Sequence, residues 1–244
     1  MTGKQRVAVV TGGSRGIGRT VSARLASDGL AVGVVFASNK DQADATVAEI
    51  SDAGGRALAW SADIADEAAV SAAFDAVEAE YGGIDVVVNS AGVMSLQPVV
   101  DFDLAVLDRM HRTNIRGAFV VNQQAARRVR AGGAIINLST SVKKLALPSY
   151  AGYTASKGAV DALVPVLAKE LRGRDITVNA VAPGPTATDL FLQGKDEATI
   201  DAMANMNPMQ RLGTPADIAD VVSFLAGPGR WVNGQTVYVN GGMV

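Results

Sequence analysis

The stretch Val7-Ala8-Val9-Val10-Thr11-Gly12-Gly13-Ser14-Arg15-Gly16-Ile17-Gly18 runs from an unbroken apolar segment straight into a glycine-rich turn. A strand with one wet face would alternate polar and apolar residues, whereas an unbroken run suits a parallel sheet covered on both faces. Glycines placed after a strand and before a helix let the backbone approach a pyrophosphate, whose charge the helix N-terminus favours. Gly12, Gly16 and Gly18 occupy those places, with three residues between the first two where the GxGxxG fingerprint has one.

Outward from this turn, short β-rich runs alternate with longer helical patterns almost to the end of the chain. Strands are expected over residues 7–11, 31–36, 57–62, 86–89, 134–138, 176–181 and 236–239, and helices near 16–27, 41–52, 67–81, 102–130, 150–171 and 215–225. The alternation predicts a single doubly wound α/β domain over residues 1–244, with a seven-stranded parallel sheet flanked by helices on both faces. Thr214 can cap the last helix, Pro215 fits its first turn, and Asp217 sits where the helix dipole favours an acid. Residues 184–213 resist the alternation. With Phe191, Leu192, Met203, Met206 and Met209, this segment is expected to form a substrate lid, a helical insertion on the core being the alternative. The helix over 150–171 is apolar on more than one face, which fits contact with another subunit or burial within its own chain, and Pro165 is expected to kink it.

Composition removes several classes of function. Hydrophobic residues at 48% and charged residues at 19% fit a globular core and exclude disorder. A net charge of −2, with Arg127, Arg128 and Arg130 as the one basic cluster, offers no track for nucleic acid. The absence of cysteine and the single histidine, His111, exclude disulfides, thiolate chemistry and a Cys/His zinc site, so no metal is expected. No apolar run approaches a membrane span and no signal-like segment precedes residue 7, which predicts a cytoplasmic protein without a membrane partner.

Tyr153 and Lys157 stand four residues apart within a predicted helix and so project from one face. A nearby ammonium stabilises a phenolate and lowers a tyrosine pKa from about 10, which would let Tyr153 exchange a proton near neutral pH. Ser141 lies twelve residues earlier, at the end of the fifth predicted strand, beside Ser139 and Thr140.

The turn from Thr11 to Gly18 resembles the TGxxxGxG turn of the short-chain dehydrogenase/reductase family. Asn89-Ser90-Ala91-Gly92 resembles the family's NNAG segment, with Ser90 in place of the second asparagine. Pro183-Gly184, followed by Thr186 and Thr188, is similar to the PG turn beside the nicotinamide, and Asn240-Gly241-Gly242 looks like a family ending. The resemblance covers almost the whole chain. It implies a nicotinamide dinucleotide held by Gly12, Ser14, Arg15, Gly16, Ile17, Gly18, Asp63, Ile64, Asn89, Ala91, Gly92, Pro183, Gly184, Thr186 and Thr188, with the Asp63 carboxylate at the adenine. It further implies that Tyr153 is the general acid or base, that Lys157 tunes it and binds the nicotinamide ribose, that Ser141 donates to the substrate oxygen, and that Asn114 holds a water linked to the lysine.

An acid at the end of the second strand accepts hydrogen bonds from a ribose 2′-OH in NAD sites, whereas a 2′-phosphate needs donors or cations. Here the strand ends Phe36-Ala37-Ser38-Asn39-Lys40, with no acid before Asp41, and Arg15 lies within the glycine turn. NADP(H) is therefore expected over NAD(H), with Arg15, Ser38, Asn39 and Lys40 around the phosphate. The expected reaction is reversible reduction of a ketone or aldehyde to an alcohol. Val93, Met94, Leu96, Val142, Leu145 and Tyr150 flank the predicted site and favour an apolar or mixed substrate, while Lys143 and Lys144 either attract an anionic group or form an exposed charged loop. Two other readings stay open: a 3-oxoacyl-acyl-carrier-protein reductase, whose acidic partner would meet Arg127, Arg128, Arg130 and Arg174, and an NADP(H)-binding sensor without catalysis. The family resemblance also implies a homo-oligomer, a tetramer or dimer.

Overall fold

The computed structural model describes residues 5–244. Among them, seven strands form one parallel sheet in the order β3-β2-β1-β4-β5-β6-β7. The strands are β1 (Val7–Thr11), β2 (Ala31–Phe36), β3 (Arg56–Ser61), β4 (Ile84–Asn89), β5 (Val129–Leu138), β6 (Thr177–Pro183) and β7 (Thr236–Val239). Ten α-helices cover it: α1 (Gly16–Ser27), α2 (Lys40–Asp52), α3 (Glu67–Tyr81), α4 (Leu104–His111), α5 (Ala118–Arg128), α6 (Val142–Leu145), α7 (Ala151–Glu170), α8 (Asp189–Leu192), α9 (Glu197–Asn205) and α10 (Pro215–Ala226). None is long and apolar enough to cross a membrane.

The unbroken apolar strands have the cause read from the sequence. Val7 and Val9 of β1 join Phe74, Val121, Val164 and Leu167 in a core beneath α3, α5 and α7. Ala8 and Val10, facing the other way, join Val21, Leu25, Ile218 and Val222 beneath α1 and α10. Each residue of β1 is thus buried on one face or the other.

Strand order reverses between β1 and β4, which leaves a crevice beyond their C-terminal ends. The register pairs Thr11 with Asn89, so the glycine turn after β1 lies beside the segment after β4. A buried polar ladder ties this edge together. Thr11 Oγ1 donates to Asn89 Oδ1 at 2.8 Å, and both Asn89 (3.2 Å) and Asn122 (2.7 Å) donate from Nδ2 to Asn137 Oδ1.

One expectation is corrected. The single helix over 102–130 is instead α4, a π-helical turn over Arg112–Gly117, and α5. Its last two residues belong to β5, because Val129 pairs with Ile84 and Arg130 reaches Asp85 of β4. Residues 184–213, the segment expected to form a lid, hold two short helices, α8 and α9. Helix α7 runs from Ala151 to Glu170 with Pro165 inside it. The expected cap is present: Thr214 Oγ1 accepts from Asp217 N, and the Asp217 carboxylate accepts from Thr214 N, a reciprocal box that starts α10.

Candidate active site

The glycine turn is built by close packing. Gly12 has φ +65°, and a Cβ there would lie 2.9 Å from the Ala91 backbone. A Cβ on Gly18 would meet the Gly12 carbonyl oxygen at 2.1 Å, so α1 approaches the turn only because residue 18 has no side chain. Helix α1 begins at Arg15 without a side-chain cap and without an acid in its first turn, so its free N–H groups face the crevice. A cavity of about 620 Å³ runs from Ser38, Asn39 and Gln42, past this turn, to Tyr153 and Lys157. A glycine cradle, an uncapped helix N-terminus and a cleft of this size fit a dinucleotide.

Eighteen of the twenty expected nucleotide residues line that one cavity: Gly12, Ser14, Arg15, Gly16, Ile17, Gly18, Ser38, Asn39, Asp63, Ile64, Ala91, Gly92, Tyr153, Lys157, Pro183, Gly184, Thr186 and Thr188. Asn89 and Lys40 do not. Asn89 is buried in the polar ladder under the crevice. Lys40 opens α2 and pairs with Asp44 at 2.5 Å, directed along the helix. Arg15, by contrast, is exposed and lines the cavity, with no side-chain hydrogen bond among the described residues. Asn39 caps α2 by accepting from Gln42 N at 3.0 Å, which aims a second helix N-terminus at the same end. Asp63 accepts from Arg112 Nη1 at 2.6 Å and from Ala65 N at 2.9 Å; the guanidinium and then the backbone N–H hold its carboxyl below the usual range. Sequence reasoning missed Gln42, Thr113 and Leu190, which also line the cavity and carry no motif that would single them out, and Ser90, whose place within the Asn89-Ser90-Ala91-Gly92 segment could have found it.

Tyr153 and Lys157 project from α7 as their spacing requires. The Lys157 ammonium donates to the Leu138 carbonyl at 2.8 Å and lies 6.0 Å from the centre of the Tyr153 ring. The expected drop in the tyrosine pKa is not found. Burial pushes the Tyr153 phenol up to about 12, with Tyr150 adding to the rise. Burial also pushes Lys157 down to about 8, and the Lys143 ammonium adds to that shift. Desolvation outweighs a cation at this distance, so the phenol holds its proton at neutral pH.

Asn114 lies in the π-helical turn, an irregularity common at functional sites. Its Oδ1 accepts from Val93 N at 2.9 Å, and its Nδ2 donates to Val93 O at 2.8 Å and to Ser156 Oγ at 3.0 Å. A Cβ on Gly92 would stand 3.4 Å from both Asn114 Oδ1 and Lys157 Nζ, so the two side chains converge behind that glycine.

In the turn after β5, Ser141 lines the cavity together with Ser139 and Thr140. Its hydroxyl is fully buried, donates to the Ala182 carbonyl at 2.9 Å and accepts from Asn240 Nδ2 at 3.1 Å. These bonds use its proton and one of its two lone pairs. Ser139 Oγ accepts from Lys143 Nζ at 2.7 Å. Lys143 is also ion-paired with Asp161, and Lys144 stacks 4.4 Å above the Tyr238 ring; neither lysine lines the cavity.

A family model described as enoyl-(acyl carrier protein) reductase matches residues 12–244. The chain is 43% identical over 253 residues to a short-chain type dehydrogenase/reductase of Picea abies, across 98% of this chain and 92% of that protein. It is 38% identical over 254 residues to a protein of Arabidopsis thaliana named NADPH-dependent aldehyde reductase-like protein, chloroplastic, across 98% and 94% of the two. A solved short-chain dehydrogenase of Burkholderia cenocepacia J2315, in complex with NADP, is similar with a TM-score of 0.93 at 37% identity, over 98% of each chain. With its fold, its glycine cradle and full-length relatives in agreement, the chain belongs to the short-chain dehydrogenase/reductase family.

Proposed function

We propose that this oxidoreductase uses NADP(H) to reduce a ketone or aldehyde to an alcohol. The observation that carries the reading is Tyr153: a half-buried phenol beside the Lys157 ammonium, in the wall of the same cavity that holds the glycine cradle. A bound reduced nicotinamide supplies a hydride to the carbonyl carbon. Tyr153 gives its proton to the carbonyl oxygen, so one hydride and one proton complete the alcohol. The Lys157 ammonium opposes the charge left on the phenolate, and Asn114 braces the segment after β4 against the lysine. A hydroxyl of the turn after β5 donates to the substrate oxygen as charge develops there.

NADP(H) is favoured because the far end of the cavity presents Ser38, Asn39 and the unpaired Arg15, with no carboxylate among Phe36, Ala37, Ser38 and Asn39. The relative named for NADPH dependence and the solved structure with NADP point the same way. Arg15→Ala is expected to raise the KM for NADPH about tenfold, worth about 1.4 kcal/mol, and to leave that for NADH within about twofold. Equal changes for the two nucleotides would remove the phosphate role of Arg15.

Oxidation of NADPH, followed by absorbance against neutral ketones, aldehydes and 3-oxoacyl thioesters, tests the function. Turnover of at least one carbonyl is expected; NADPH binding without turnover would favour the sensor reading. Three of the four arginines considered for a carrier protein are held by partners within the chain, which weakens that reading. Arg128 is ion-paired with Asp75 and Glu78, Arg130 with Asp85, and Arg174 donates to the Ala126 and Val129 carbonyls. Leu190, Phe191 and Met203 of residues 184–213 line the cavity, which supports a lid role and an apolar substrate. Exposed Phe119 on α5 and Val166 on α7 support self-association.

A further inference from the structure

We propose that Lys143 is a positioning residue for the reduction: its ammonium joins Ser139 to Asp161 and so seats the turn after β5 on the face of α7 that carries Tyr153 and Lys157. The assignment deepens the reductase reading and rests on it. Lys143 follows that turn, in α6, and its side chain is only 12% exposed although it lies outside the cavity. Its Nζ donates to Ser139 Oγ at 2.7 Å and is ion-paired with Asp161. Asp161 stands one helical turn beyond Lys157 and two beyond Tyr153. Lys157 makes a parallel bond, donating to the carbonyl of Leu138, the residue before Ser139. Two ammoniums thus hold consecutive residues of the strand end against successive turns of α7. The Oδ1 atom of Asp161 is buried with no hydrogen-bond partner among the described residues, so the charge of this carboxylate is compensated through Lys143.

The bridge also brings a second positive charge toward the site. Charged and titratable groups face the two lysines from each element around them. Lys144 on α6 stacks on Tyr238 of β7, whose ring centre is 5.9 Å from Lys143 Nζ, and α7 contributes Asp161 to Lys143 and Tyr153 to Lys157. Burial pushes Lys143 down to about 8, and the Lys144 ammonium adds to the shift. After burial, the Lys143 charge is what holds Lys157 down. One cation disfavours the charged form of another, so removing Lys143 lets Lys157 keep its proton to a higher pH. Lys143 therefore acts on the reaction twice without meeting the substrate. It places the turn through Ser139, and it sets through Lys157 the pH at which the phenolate loses its opposing charge.

The test follows kcat against pH on the best carbonyl substrate, together with the NADPH Kd and the melting temperature. Lys143→Met alone strands the Asp161 carboxylate and should melt lower, whereas adding Asp161→Asn removes that charge and should bring the melting temperature back. In this double variant kcat in mildly acid solution is expected to fall about tenfold, with the Kd within about threefold. The alkaline limb of its rate profile should move up by at least about 0.5 pH unit. Lys143→Arg keeps a cation in the bridge and should hold kcat within about threefold, with the limb no higher than in the original protein. Lys144→Met leaves the bridge intact and should keep kcat within about twofold and the limb in place. A double variant with unchanged kcat overturns the assignment, because the bridge then positions nothing. An unmoved limb overturns it too, because a merely structural bridge lowers a rate without shifting its pH dependence. Unaltered protein that binds NADPH and reduces no carbonyl overturns the reductase reading itself, and this assignment with it, before any variant is made.

Discussion

Replacing Tyr153 by phenylalanine is expected to lower kcat for carbonyl reduction by about 10²–10⁴-fold while NADPH stays bound with near-normal affinity. The substitution keeps the ring and its packing on α7 and removes only the hydroxyl. Among the described residues that line the cavity, Tyr150 is the one other phenol, and its pKa is also raised by burial, but it precedes α7 and does not share a helix face with Lys157. pH acts through two groups. The Tyr153 phenol keeps its proton below about 12, so the acid is present throughout the neutral range. The Lys157 ammonium is complete only well below about 8. Reduction should therefore be level in mildly acid solution and decline as the pH rises through about 8. Steady-state rates with stopped-flow NADPH binding separate chemistry from affinity, and a phenylalanine variant within tenfold of the original kcat would remove Tyr153 from proton transfer.

Gly18→Ala is expected to cost both nucleotide binding and stability. The new Cβ would meet the Gly12 carbonyl oxygen at 2.1 Å and its carbon at 2.7 Å, both backbone atoms of a turn that is itself packed on Ala91. Neither partner can swing aside as a long side chain would. Overpacking of this kind costs about 3 kcal/mol, and in a chain of this size that lowers the melting temperature by roughly 6–12 °C. Displacing the first turn of α1 also moves the N–H groups that face the crevice, so the NADPH Kd should rise at least about tenfold. Gly158→Ala is the control. Gly158 lies within α7 with open space around it, and alanine there should be neutral or stabilising by up to about 1 kcal/mol. A Gly18 variant that melts with the original protein and binds NADPH as tightly would show that the turn tolerates the side chain.

Much of the fold was legible because it depends on neighbours in sequence. The strand Val7–Thr11 is apolar from Val7 to Val10 since both its faces are covered, and that leaves a pattern in four consecutive letters. The capping box at Thr214 and Asp217 spans four residues and was read from them directly. Helix 102–130 was overextended because nothing local to Arg130 announces that Asp85, far back in the chain, will pair with it. The π-helical turn around Asn114 left no periodicity of its own, being a single turn within a helical pattern.

The candidate site divides in the same way. The sequence by itself determined the glycine cradle, since a positive φ and a missing Cβ are properties of the residue, and it determined that Tyr153 and Lys157 share a face, since helical spacing does that. Only the tertiary structure decided that Asn89 lies under the crevice rather than in it, that Lys40 turns to Asp44, that burial raises the Tyr153 pKa, and that Ser141 is occupied by Ala182 and Asn240. Each of these is set by packing, and in most cases by a partner distant in the chain. Backbone preference and periodicity are written in adjacent residues, whereas the use of a hydrogen bond and the field around a proton depend on what folding brings beside them.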